Sequence, residues 1–133
     1  VKRFSLDTNI VADLIRHPAG LIAQRILEFG EERVALSLVV ACELRFGAAK
    51  RGSARLTKRV EELLAAIEVL PLEAPVDKAY AAVCRTLEAA GTPIGPNDLL
   101  IAAQAKTLGM TVVTDNVKEF QRVPGLDVVN WLH

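Results

Sequence analysis

Four acidic residues, Asp7, Glu43, Asp98 and Asp115, stand where the chain passes between an apolar run and a helix or loop. Asp7 closes Phe4-Ser5-Leu6, and Glu43 follows Val34-Ala35-Leu36 and Leu38-Val39-Val40. Asp98 opens the apolar stretch that begins near Pro96, and Asp115 closes Thr111-Val112-Val113-Thr114. If those runs are neighbours in one sheet, the four acids meet at one of its edges. Carboxylates gathered in this way repel one another and are partly protonated unless a cation neutralises them. Ligands that are all oxygen suit Mg²⁺ or Mn²⁺, the ions of phosphodiester hydrolysis. The residues point to a metal-dependent nuclease.

Each acid also has a plainer reading. Asp7-Thr8-Asn9 makes a good helix N-cap, and Gly95-Pro96-Asn97-Asp98 makes a good helix start without any chemistry. Asp115-Asn116 reads equally well as a turn. Glu43 is more telling, because it interrupts Leu38, Val39, Ala41, Cys42 and Leu44. A lone Glu on an apolar face calls for a metal or a cationic partner.

The elements that must position these acids alternate as β-α-α-β-α-α-β-α-α-β. Short strands are expected over 2–6, 33–37, 68–72 and 110–114, with a last strand or edge at 126–129. Helices are expected over 8–16, 19–29, from Ser37 past Phe46, then over 55–67, 76–90 and from Pro96 to Gly109. That alternation predicts an α/β fold, a parallel sheet of four or five strands with helices on both faces. In such sheets the functional crevice lies outside the carboxyl ends of the strands, where Asp7 and Asp115 fall. Asp98, in a first helical turn, is favoured there as an ionised carboxylate.

Composition narrows the chemistry further. The 133 residues, 51% hydrophobic and 24% charged, predict a single domain, 1–133, with a real core. No apolar run approaches the ~20 residues of a membrane span, and the first residues lack a signal-peptide pattern, so a cytoplasmic location without membrane partners is expected. Cys42 and Cys84 read as reduced core thiols, and with His17 and His133 they cannot form a zinc site of the usual spacing. Neither a nucleophile elbow, a P-loop nor a dinucleotide fingerprint is present. Net charge is zero, yet Arg45, Lys50, Arg51, Arg55, Lys58 and Arg59 fall between Glu43 and Glu61 with no acid among them. That stretch is either a solvated surface or a phosphate-tracking patch.

Strand-Leu6-Asp7-Thr8-Asn9, then Cys42-Glu43-Leu44-Arg45-Phe46-Gly47, then Ile94-Gly95-Pro96-Asn97-Asp98-Leu99-Leu100-Ile101-Ala102-Ala103, then Val113-Thr114-Asp115-Asn116 resemble the PIN-domain ribonucleases. The likeness is greatest to the VapC toxins of bacterial toxin–antitoxin pairs, and it runs from Phe4 to Trp131. It implies an endoribonuclease dependent on Mg²⁺, or Mn²⁺ in its place, that cuts RNA to leave a 5′-phosphate and a 3′-hydroxyl. It also implies a homodimer silenced by a cognate VapB-like antitoxin. Asp7, Glu43 and Asp98 match the family's acids. The fourth is commonly the last residue of Thr-x-Asp, which here is Asn116, leaving Asp115 or Glu119 to compensate, with Asp115 favoured. Thr8 is expected to support Asp7, and Asn9 the loop. Two other readings compete: a PIN fold that only binds, and a phosphoaspartyl receiver or dehalogenase-like domain, for which Asn9 stands where the latter needs an acid.

Overall fold

The computed structural model describes residues 2–132. Its sheet has five strands, β1 (Phe4–Leu6), β2 (Val34–Ser37), β3 (Glu68–Leu70), β4 (Thr111–Val113) and β5 (Val128–Val129). Every pairing is parallel, and the order across the sheet is β3-β2-β1-β4-β5. Parallel strands covered on both sides read as unbroken apolar runs. Accordingly Phe4, Leu6, Val34, Ala35, Leu36, Val112 and Val113 are all buried.

Between the strands lie α1 (Thr8–Arg16), α2 (Leu21–Phe29), α3 (Leu38–Arg51), α4 (Ala54–Ala66), α5 (Val76–Ala89), α6 (Pro96–Leu108) and α7 (Val117–Phe120). The chain first steps outward from β1 through β2 to β3, then reappears on the other side of β1 as β4 and β5. With right-handed crossovers, the reversal sends the earlier and later helices to opposite faces. It also makes the gap between the ends of β1 and β4 the switch point of the sheet.

Local chemistry sets the helix ends. Asp7 caps α1, and the Ser37 hydroxyl accepts the Val39 N–H at 3.1 Å to start α3. Gly109 stops α6 in the left-handed region at φ 66°, which a side chain would strain. Gln104 is buried, and its amide donates to the Pro71 carbonyl at 3.1 Å, tying α6 to the end of β3. At the other end of β1, the Phe4 ring meets Phe29 at 4.6 Å and Trp131 at 4.9 Å, and Phe29 stacks on Trp131.

Four expectations change. Residues Glu31–Arg33 form a 3₁₀ turn, so β2 starts at Val34, and the short helix α7 was absent from the expected order. The apolar run around Glu43 is not one face: Val39, Val40, Ala41 and Leu44 are buried, whereas Leu38 and Cys42 are exposed. The expected core thiols therefore fail at Cys42, and Cys84 is only half-buried. His133 lies outside the described residues.

Candidate active site

Register explains how the acids meet. Leu6 on β1 pairs with Val113 on β4, so the next residue of each strand, Asp7 and Thr114, stand side by side at the switch point. The Asp7 N–H closes the ladder on the Val113 carbonyl at 2.9 Å. The buried Thr114 hydroxyl then donates to Asp7 Oδ2 at 2.8 Å, while the Thr8 N–H donates to Oδ1 at 2.8 Å. Asp7 is only 5% exposed, which few carboxylates are without a counter-charge.

The neighbouring acids are each held by neutral donors borrowed from another segment. The Thr8 hydroxyl reaches Glu43 Oε1 at 2.5 Å, and the Asn97 amide reaches Glu43 Oε2 at 3.4 Å. Thr8 thus supports Asp7 through its backbone, and its side chain serves Glu43. Asn9 donates to Asp115 Oδ1 at 3.2 Å. Glu119, on α7, accepts the Gly95 N–H at 2.8 Å and the Asn116 amide. Asn116, the residue at the expected acid position, so holds an acid in place of being one. Arg122 donates to the Pro93 carbonyl at 2.9 Å, pinning α7 against the loop that opens α6.

Electrostatics mark the centre of the group. Burial, the charges of Asp7 and Glu119, a hydrogen bond with Glu119 and the charge of Glu43 together push the Asp98 carboxyl up to about 7. Burial also raises Asp7, opposed by the bonds from Thr114 and Thr8 and reinforced by Glu43 and Asp115. Burial would raise Glu119 too, but the Gly95 N–H, Asn116, Asp98 and Arg122 hold it below the usual range. The hydrogen bond between the two thus raises Asp98 and lowers Glu119, so they titrate as a pair. Both present an oxygen to the same spot, 3.8 Å from where a Cβ on Gly95 would sit.

Asp7, Glu43, Asp98 and Asp115 are accordingly brought to one edge of the sheet, with Asp115 exposed at the margin and Glu119 inside. Sequence reasoning left Glu119 off its preferred set. Its helix has only four residues, too few to show a periodic pattern. Among the described residues no Lys or Arg forms a salt bridge with any of the five acids. Nor are three Asp, Glu, His or Cys side chains among them already closed into a metal cage. Like charges are spaced by hydroxyl and amide donors. The donor set is oxygen only, since His17 caps the far end of α1.

The PIN domain family model matches residues 5–126, a span that includes all five acids. The chain belongs to the PIN domain family. Among relatives of this PIN domain, Ribonuclease VapC2 of Rickettsia felis is 34% identical over 96% of this chain and 97% of its own length. The tRNA(fMet)-specific endonuclease VapC of Salmonella typhimurium is 32% identical, covering 97% and 98%. The crystal structure of DNA-bound VapBC from Salmonella typhimurium superposes with a TM-score of 0.90 at 32% identity, over 98% of this chain and 99% of that one. VapBC-1 from nontypeable Haemophilus influenzae gives 0.86 at 34% identity, over 98% of each chain.

Proposed function

We propose that this PIN domain is the toxin of a toxin–antitoxin pair, a metal-dependent endoribonuclease that hydrolyses RNA phosphodiesters. The single observation that carries the reading is a cluster of acids with no salt-bridged cation among the described residues: Asp7, 5% exposed, beside Asp98, whose carboxyl is pushed up to about 7. A divalent cation supplies the missing charge. An oxygen-only donor set at this edge fits Mg²⁺, with Mn²⁺ as a substitute, and not zinc or copper.

Asp7 and Asp98 would hold the ion most directly. Glu43 would complete the cluster with Asp115 or Glu119, and the position of Glu119 against Asp98 favours Glu119 for the inner place. When bound, the metal lowers the pKa of a water and offsets charge building at phosphorus. The chain's own part is positioning. Thr114 and the Thr8 N–H fix both oxygens of Asp7 and oppose its protonation, and Thr8 and Asn97 do the orienting at Glu43. A bound cation would favour the ionised form of Asp98, which burial and the neighbouring acids disfavour in its absence. Attack by water leaves the RNA 2′-hydroxyl free for recognition.

Relatives solved as VapBC complexes support a VapB-like antitoxin as the regulatory partner. A cationic side chain of that antitoxin at the carboxylates would silence an acidic site. We take the toxin to act as a cytoplasmic homodimer, each copy contributing one domain. Among the described residues no helix is long and apolar enough to cross a membrane.

The test is substitution of the two innermost acids. Asp7→Asn and Asp98→Asn should reduce RNA cleavage and growth inhibition to background, while circular dichroism shows the wild-type fold. Wild-type cleavage by a clean preparation of either variant would remove the metal site, and an inactive but RNA-binding wild type would leave only a binding module.

A further inference from the structure

Helix α6 carries Asp98 in its first turn, yet no side-chain cap fixes where that turn stands. Helices α1, α3 and α4 start at Asp7, Ser37 and Ser53, whose side chains accept an N–H of their own first turn. Helix α6 starts at Gly95, which has no side chain to do so. The residues around it cannot compensate, because Pro93 and Pro96 have no N–H to donate. Pro93, Pro96 and Asn97 are exposed, and the buried part of α6 begins at Leu99.

The hold on this loop comes from α7 and the turn that follows it. Phe120 and Val123 are buried and anchor that segment in the core. Glu119 and Arg122 are one turn apart, the Arg122 N–H closing on the Glu119 carbonyl at 3.1 Å, and both side chains reach the loop. Glu119 Oε1 accepts the Gly95 N–H at 2.8 Å, and the Arg122 guanidinium donates to the Pro93 carbonyl at 2.9 Å. Each bond has one ionised partner, which makes it stronger than a neutral one. Between the two bonds Ile94 packs, partly buried, against the core. Arg122 itself is exposed and forms no salt bridge among the described residues, so core packing does not account for it. Gly95 in turn governs more than Asp98. Its carbonyl accepts the Leu99 N–H at 2.9 Å, which opens α6, and Asn97 inside that turn donates to Glu43.

We propose that Arg122 is a positioning residue of the metal site: with Glu119 it clasps the loop 93–95 and so sets where Asp98 and Asn97 stand. The inference rests on the metal-dependent reading above and adds to it a residue outside the acids. Arg122 acts through the loop and not by touching the ion.

The test compares Arg122→Met, which keeps an apolar stem and loses the donors, with Arg122→Lys, which keeps a donor and the charge. In the metal-free full chain, amide hydrogen exchange followed by NMR should find Gly95 protected in the parent and several-fold faster in Arg122→Met. The Val112 and Thr114 amides, bonded within the sheet, should keep their protection and show that the fold is intact. Isothermal titration should give Mn²⁺ binding weaker by about tenfold in Arg122→Met, the low end for groups that orient metal ligands. Arg122→Lys should recover most of that loss. In RNA cleavage the defect should fall on kcat at low Mg²⁺ and close as Mg²⁺ is raised, with KM for RNA unchanged. Parent-like Mn²⁺ affinity or parent-like Gly95 protection in Arg122→Met overturns the proposal. So does a raised KM for RNA with Mn²⁺ affinity unchanged, which would make Arg122 a substrate contact. A parent chain that binds Mn²⁺ but cuts no RNA overturns the ribonuclease reading and leaves the clasp standing, because exchange and metal binding are both read without RNA.

Discussion

Glu119 and Asp115 differ in what surrounds them. Glu119 is clasped by the Gly95 N–H and the Asn116 amide and is hydrogen-bonded to Asp98, whereas Asp115 is exposed and accepts from Asn9. Glu119→Gln should therefore weaken Mn²⁺ binding by roughly 10–100-fold, the range for a group that tunes a metal site, and Asp115→Asn by much less. Isothermal titration of the two variants decides between them; the reverse order returns Asp115 to the inner place. The acids at strand ends were legible in the sequence because a parallel sheet fixes where its carboxyl ends point. The donors were not. Thr114 meets Asp7 only because Leu6 pairs with Val113, and that register is written in no local pattern.

At the scale of elements, β1 carries the site and the core at once. Leu6 is fully buried and immediately precedes Asp7. Leu6→Ala should cost about 2–5 kcal/mol, the usual range for such a cavity, and denaturant midpoints would measure it. Metal affinity should fall with it, because Asp7 hangs from the same backbone. A variant that is destabilised but binds Mn²⁺ normally would uncouple the two. The strand and helix order was readable from apolar periodicity, and the boundaries moved by one to a few residues. What periodicity could not give was α7, which is too short, or the exposure of Cys42, whose apolar neighbours in sequence point to different sides of α3.

For the whole molecule, the acidic edge sets a pH dependence. Burial and the charges of Asp7, Glu119 and Glu43 put the Asp98 carboxyl at about 7, above its ordinary value of 3.8, and Asp7 is raised in the same direction. Groups raised in the folded state bind more protons folded than unfolded, so their contribution is fully present below about pH 4 and is lost as pH rises towards 7. Glu119, held low, acts in the opposite direction and offsets part of this. The metal-free protein should melt at a lower temperature at pH 8 than at pH 5.5. Asp98→Asn should flatten that trend, and Mg²⁺ should raise the melting temperature more at the higher pH. Scanning calorimetry at the two pH values, with and without the ion, checks the sign. A metal-free protein that becomes steadily more stable towards pH 8 would contradict it.

The only tryptophan in the chain stacks on Phe29 beside Phe4, at the amino end of β1, and the carboxylates sit past its other end. Trp131 is 3% exposed and shielded by aromatic carbon. Its emission should therefore report whether the chain is folded and stay silent about the far rim. A Mn²⁺ or RNA titration of the native chain should leave the spectrum in place, whereas guanidinium should shift it to the red. The molecule thus carries its own internal standard. Any optical change produced by a dye placed at the acidic edge can be assigned to binding, and any change at Trp131 to loss of structure.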